Sequence, residues 1–499
     1  MRGKRPVIAE SLTAAILEVC AFITNVKKYN KKEKSMTKIL LIEPSYKNKY
    51  PPLALMKIST YHKSKGDKVV FAKGKILEIK NMHWDRIYIS TLFTFHWKTT
   101  LDTIDFYKNS VTHMSDIFCG GVLATVLAGE LRAEFDITIL PGLLDKSGIL
   151  GDDDCIIDVL PPDYSIIEPS LNPYLSYDYS VRDSYIVYAT RGCIRSCSFC
   201  AVPTMEPCFT SYIDIKHQVN YIKNNFGEKK HLLLLDNNVL ASDEFYKIID
   251  DIKELGYQKG ATYRKMMNGR TSVSRKYVDF NQGIDARLLT RDKCLKLSEI
   301  AIRPLRIAFD SADEESVALY KEKTLLAAEC GIEHLSNYML FNFEDKPEDF
   351  YNRLHISMML NETFSDMGYK SRIWIFPMKY TPTSGLNSLD RKFIGINWNR
   401  KYLRAIQCVL NATHGVVGPK KDFFHAAFGK DLDEFFKILA MPEKYIINRN
   451  LYEDNGLTSQ WYKEFKKLSP SSVTYDFIMN CDLKSTCESD TYEILRFYR

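Results

Sequence analysis

Short, nearly continuous apolar runs dominate residues 36–380, each ending in polar residues and followed by a stretch with helical spacing. Ile39–Ile42 is the first. Pro51 and Pro52 then lead into a segment with apolar Leu53, Leu55, Met56 and Ile58. Lys68–Ala72 follows the Gly66-Asp67 turn, and Arg86–Thr91, Asp116–Cys119 (closed by Gly120-Gly121) and Ile137–Leu140 come after it. Runs of aliphatic and β-branched residues bounded by turn residues predict strands. Helical segments between them predict crossovers, so residues 36–150 read as an α/β domain with a doubly wound parallel sheet. Ligands on such sheets bind at the carboxyl ends of the strands. That puts Glu43–Tyr50, Thr94–Trp97 and Gly120–Leu123 on the binding edge.

A second series begins at Tyr185–Ala189. It continues with a helix over Ile213–Phe226 and with strands His231–Asp236, Tyr277–Asn281, Leu305–Phe309, Leu335–Phe341 and Arg372–Phe376. Unbroken apolar strands that end in polar residues are the pattern of a parallel barrel with its site at the carboxyl ends. Residues 184–380 therefore read as a central, partial (βα)6 TIM-like barrel. Residues 151–183, broken by Pro161, Pro162, Pro169 and Pro173, read as a connector. Its triplet Asp152-Asp153-Asp154 reads as a solvated turn, with a magnesium site left open. After Pro377 the barrel pattern fades. Trp398–Leu410, Phe423–Phe428 and Leu432–Ala440 predict a mostly helical C-terminal domain over 381–499, with closure of the barrel over a substrate and ordinary packing as equal readings.

Composition adds bounds. A chain of 499 residues holds two or three domains, and 45% hydrophobic with 26% charged residues is an ordinary soluble composition. No apolar stretch approaches the length needed to span a bilayer, so no membrane partner is expected. Residues 1–35 loosely resemble a signal peptide. Glu10 and Glu18 interrupt the apolar stretch, however, and the basic run Lys27 to Lys34 stands where a cleavage site would. They read as a dispensable extension. The net charge of +6 permits a nucleic-acid partner without demanding one. Gly256 to Val278 carries Lys259, Arg264, Lys265, Arg270, Arg275 and Lys276 with no acidic residue, interleaved with Tyr257, Tyr263 and Tyr277. A solvated loop is the default for it; contact with a phosphate backbone and exposed bases is the alternative.

The twelve cysteines are scattered except in Thr190-Arg191-Gly192-Cys193-Ile194-Arg195-Ser196-Cys197-Ser198-Phe199-Cys200. Three thiols at C-x3-C-x2-C spacing after a strand suit a metal site more than a disulfide framework, and point to a reducing, cytoplasmic compartment. Zinc usually takes four ligands in two close pairs. Iron–sulfur clusters are held by thiolates, and three would leave one iron open. This motif, with an aromatic residue before its last cysteine, resembles the signature of the radical S-adenosylmethionine (SAM) superfamily.

The resemblance implies a [4Fe–4S] cluster on Cys193, Cys197 and Cys200, with SAM chelated at the open iron. It further implies reductive cleavage of SAM to a 5′-deoxyadenosyl radical, and an electron donor such as flavodoxin or ferredoxin. Phe199 carries over as the aromatic near the adenine. Asp236, Asn237 and Asn238 carry over to the methionyl amino group. Asn281, Gln282, Asp285 and Asp310 carry over to the ribose, and Arg287 to the SAM carboxylate. Helix capping is the competing reading for the Asp and Asn residues. The domain order resembles enzymes with an N-terminal cobalamin-binding domain, but the loop Pro44 to Pro52 has no D-x-H-x-x-G histidine. His62 and His96 are the nearby candidates, and a degenerate domain that shapes the substrate pocket is favoured over bound cobalamin. The expected activity is modification of an unidentified substrate, with methyl or methylthio transfer slightly favoured. An RNA, a nucleotide or a phosphorylated metabolite is the favoured substrate class. The rival class is a non-catalytic nucleic-acid-binding protein that carries a metal or cluster on the same cysteines.

Overall fold

The computed structural model describes residues 36–267, 269–481 and 493–498. The expectation for residues 1–35 lies outside these residues.

Strands β1 (Lys38–Glu43), β2 (Lys68–Lys73), β3 (Arg86–Thr91), β4 (Ile117–Gly121) and β5 (Thr138–Leu140) form one parallel sheet in the order β2-β1-β3-β4-β5. Successive residues of a strand point to opposite faces. Ile39 and Leu41 accordingly join one apolar cluster and Leu40 and Ile42 another. Helix Leu53–Ser64 covers the first face through Leu55, Met56 and Ile58; helix Trp97–Tyr107 covers the second through Ile104 and Tyr107. Burial on both faces explains why these strands read as unbroken apolar runs, each such side chain stabilising by about 1.5–3 kcal/mol. Because β1 lies between β2 and β3, the loops after β1 and β3 diverge. A crevice opens between them at the carboxyl edge.

Residues 151–183 are more firmly held than a linker. Asp163, Asn172 and Tyr179 are buried. Asn172 Nδ2 donates to the carbonyls of Phe71 and Ile166 at 2.9 Å each. Beyond them, β6 (Ser184–Val187) and β7 (His231–Leu234) lead to an antiparallel pair, β8 (Thr262–Met267) and β9 (Arg270–Arg275). Then come β10 (Val278–Phe280), β11 (Leu305–Arg306), β12 (His334–Phe341) and β13 (Arg372–Lys379). Two three-stranded parallel sheets result, β10-β7-β6 and β11-β12-β13. Isolated parallel bridges, Val278 with Ile302 and Ile284 with Ile307, join them.

Two expectations change. Leu305–Phe309 pairs as a strand only over Leu305–Arg306, with Ile307 reduced to a bridge. The expected loop Gly256–Val278 contains the β8-β9 hairpin. Its turn carries Asn-Gly, the strongest short-range hairpin signal, and Gly269 adopts φ +75°.

From Arg400 to Asn480 the described chain is helical, beginning with Arg400–Ala412. An antiparallel bridge between Val417 and Ile375 attaches this region to β13. A single apolar cluster runs from Ile39 and Leu41 through β6, β7 and β10–β13 to Trp461 and Phe497. No helix among the described residues is long and apolar enough to cross a membrane.

Candidate active site

The cysteine loop starts where β6 ends, and three buried groups fix its first residues. Asp236, just past β7, is 0% exposed. Its carboxylate accepts the Ala189 N–H at 3.0 Å, the Thr190 N–H, and the Thr190 hydroxyl at 2.7 Å. Burial pushes this carboxyl up to about 6 against those hydrogen bonds. Next, Gly192 sits at φ +73°, and an added Cβ would run into the Cys208 carbonyl oxygen. Only glycine suits both demands. The Gly192 N–H donates to Glu206 Oε2 at 2.6 Å, and Asn237 Nδ2 donates to the same oxygen at 3.0 Å. Arg191 pairs with Glu206 Oε1 at 3.0 Å and lies over the Tyr188 ring at 4.0 Å.

Cys193, Cys197 and Cys200 are free, half-buried thiols that feel one another electrostatically. Backbone N–H groups point at two of them, Arg195 to Cys193 Sγ and Val202 to Cys200 Sγ, both at 3.4 Å. Asn238, 1% exposed, donates Nδ2 to Cys193 Sγ at 3.5 Å, and its Oδ1 is buried with no hydrogen-bond partner among the described residues. Burial pushes the Cys197 and Cys200 thiols up. The donor chemistry of this loop suits an iron–sulfur cluster: three thiols, N–H···S donors, and an orphaned amide oxygen that a ligand could satisfy. The thiols are not drawn into metal-holding proximity, for no group of three or more His, Cys, Asp or Glu side chains is so gathered among the described residues.

The loop opens on a partly open cavity of about 2040 Å³ lined by residues of the five-stranded sheet, of the second half of the chain and of the C-terminal helices. From the first sheet come Glu43, Tyr46, Tyr50, Thr91, Phe93 and Phe95, the residues of the β1/β3 crevice. From the strand ends of the second half come Phe199, Cys200, Asn237, Asn281, Gln282 and Asp310. The two halves touch directly, since Asn281 Nδ2 donates to the Tyr50 hydroxyl. Burial pushes the Asp310 carboxyl up to about 6, the Arg353 charge opposing it.

The other candidates are placed differently. Asp236 and Asn238 serve the loop rather than line the cavity. Asp285 caps the turn that follows it and bridges Arg195 Nε at 2.9 Å and Arg287 Nε at 2.6 Å. Burial opposes its charge, but the two arginines hold its carboxyl below the usual range. Arg287, expected to face a carboxylate of a ligand, thus pairs with a neighbour two residues away. Glu206, Arg191 and Arg195 join the site beyond the residues the motif assigns. Arg191 and Arg195 flank cysteines in the motif and Tyr50 ends the expected binding-edge loop Glu43–Tyr50, but nothing local marks Glu206, which arrives through tertiary contact.

Of the two histidines, His62 uses both ring nitrogens internally, on Asp67 at 2.7 Å and the Tyr88 hydroxyl at 3.0 Å. His96 stacks on Tyr46 at 4.5 Å. In the acidic triplet, Asp153 is held by Lys65 and by the Tyr61 hydroxyl. The basic hairpin lies at the amino ends of the strands, away from the cavity. Lys276 pairs with Glu228 at 2.9 Å just before β7, and Tyr263 reaches the Glu228 carbonyl at 3.3 Å. No protein-family model matches the chain, and no curated protein matches it.

Proposed function

We propose that the chain is a radical SAM enzyme built as a Rossmann-like domain, a partial (βα)6 barrel and a C-terminal helical domain. One observation carries the reading: the C-x3-C-x2-C loop, at the carboxyl edge of parallel strands, opens on a large cavity ringed by strand-end Asn237, Asn281, Gln282 and Asp310. Cys193, Cys197 and Cys200 would hold a [4Fe–4S] cluster. With SAM, that cluster supplies one-electron reductive cleavage, after an electron from a donor such as flavodoxin or ferredoxin.

The chain's own residues do the rest. Asp236, Glu206 and Gly192 fix the loop backbone. Asn237, which lines the cavity, offers its amide to the methionyl end of SAM, Asn238 supports Cys193, and Phe199 lies edge-on to Phe343 at 5.8 Å beside the cavity. Asn281, steadied by Tyr50, and Gln282 offer hydrogen bonds to the ribose. Asp310 sits where it can hold a proton near neutral pH. The C-terminal helices wall the cavity and exclude water. A cytoplasmic location and group transfer to a nucleotide, RNA or phosphorylated metabolite complete the reading.

Anaerobic reconstitution tests it. We expect about four irons per chain and 5′-deoxyadenosine on addition of dithionite and SAM, both lost in Cys197→Ala. S-adenosylhomocysteine formed as well would indicate methyl transfer. Zinc in place of iron, or an intact cluster with no 5′-deoxyadenosine under any reductant, would overturn the reading. The exposed basic hairpin favours a second reading, a non-catalytic nucleic-acid-binding protein, which requires RNA affinity that depends on Cys193.

A further inference from the structure

The cavity holds more than a cofactor needs. At about 2040 Å³ it exceeds the roughly 300–1,000 Å³ that holds one drug-sized ligand. The wall formed by the loop after β3 and the segment after β13 has its own chemistry. Thr94 Oγ1 donates to the Pro382 carbonyl at 3.4 Å, so the two segments meet. Lys379 and Arg391 line the cavity there. The Arg391 guanidinium lies over the Phe95 ring at 4.1 Å and has no hydrogen-bond or ion-pair partner among the described residues. Lys379 Nζ donates to the Arg391 carbonyl at 2.6 Å, which leaves two of its three N–H groups for other acceptors. The adjacent acid, Asp390, pairs with Lys392 at 3.7 Å and its charge also reaches Lys379.

Two like charges thus share one wall of the cavity, Lys379 half-buried and Arg391 exposed. Desolvation lowers the affinity of both Lys379 and Arg391 for their protons, and burial, with the Arg391 charge adding to it, holds His96 down to about 4. A bound anion would offset this repulsion. A planar guanidinium beside a compact ammonium suits the several oxygens of a phosphate group. Beside them Phe93, 50% exposed, stacks on Phe95 at 5.1 Å and offers a flat apolar surface.

We propose that this corner is the substrate's phosphate subsite: Lys379 and Arg391 bind the phosphate of a nucleotide whose base packs on Phe93. The ligand's role as substrate rests on the radical SAM reading; the binding site itself does not. The phosphate can come from a free nucleotide or from a single-stranded RNA.

Calorimetric titration of the full chain with AMP, adenosine, a short single-stranded RNA and SAM tests it, in wild type and in Arg391→Gln, Arg391→Lys and Lys379→Gln. Circular dichroism checks that each variant is folded. We expect AMP to bind at least about tenfold tighter than adenosine. Each Gln variant should lose about tenfold, and Arg391→Lys should lose less. RNA that binds tighter than AMP and weakens in the same variants identifies a strand as the source. AMP tighter than RNA identifies the free nucleotide. Equal affinity for AMP and adenosine, or AMP affinity unchanged in both Gln variants, overturns the subsite. SAM affinity should be unchanged in all variants. SAM binding without a phosphate preference would sink the subsite alone. Arg391-dependent AMP binding with no SAM cleavage would keep the subsite and sink the enzyme reading.

Discussion

Asp236 shows how one buried carboxylate can govern a loop it does not belong to. Its oxygens satisfy two backbone N–H groups and a hydroxyl at the start of the cysteine loop. Asp236→Ala would strand those donors in the interior, each costing about 1–3 kcal/mol. We expect a lower urea midpoint with an unchanged m-value, a loss of about 3 kcal/mol, and reduced iron uptake on reconstitution. His231 gives a pH signature. It is buried against Tyr277, with ring centroids 3.3 Å apart, and burial lowers it to about 3. Its unfolded value is about 6.5, so between these limits the unfolded state binds the extra proton and stability falls as pH falls. Asp236 and Asp310, both near 6 when folded, act in the opposite sense between about 4 and 6. Urea midpoints at pH 7 and pH 4.5 should therefore fall further for wild type than for His231→Phe, which keeps both carboxylates. An equal fall would remove His231 from the account.

The β8-β9 hairpin is the element that departs most from its surroundings. Opposed residues share a face, so Arg264, Met266, Val273 and Arg275 stand on one side, and all four are exposed. A two-stranded ribbon with one face wholly exposed and the other only half-buried at Tyr263 and Ser274 gains little stability from burial. Arg264, Lys265, Arg270 and Arg275 form no ion pair with described residues, so replacing all four by Gln should leave the melting temperature within the range of ordinary surface substitutions, about 0.5 kcal/mol each. If the hairpin binds RNA, the same variant should lose affinity and show a shallower dependence of log K on log salt. Retained, equally salt-dependent RNA binding would place that activity elsewhere.

Across the molecule, the two halves are held in register around the cavity by polar contacts between distant segments. Glu43, at the end of β1, pairs with Lys73 of β2 at 2.6 Å, and the Tyr179 hydroxyl donates to the same carboxylate oxygen. Burial raises the Glu43 carboxyl and lowers Lys73, so desolvation is the leading influence on both partners. Removing one partner of a buried pair leaves an uncompensated charge. Lys73→Met should cost about 3–5 kcal/mol in chemical denaturation, whereas replacement of both charges by Met and Gln should recover much of that loss. If the single variant were as stable as wild type, the pair would not be anchoring β1 to β2 and to residues 151–183.

The parallel five-stranded sheet was legible in residues because each strand is buried on both faces and therefore reads as an unbroken apolar run. The three cysteines stand out in the sequence because their spacing is local. Strand ends could be named as sites for the same reason: Asn237, Asn281, Gln282 and Asp310 follow directly on apolar runs and do line the cavity. What a side chain faces is another matter, since it depends on which distant segment packs above it. Asp236 and Asn237 are adjacent, yet one turns into the loop backbone and the other to the cavity. Arg287 meets Asp285 instead of open space, and Glu206, Lys379 and Arg391 line or support the cavity only through contacts between segments far apart in the chain. Periodicity and local spacing record burial and turn chemistry; convergence of charges is a property of packing, and it was settled in three dimensions.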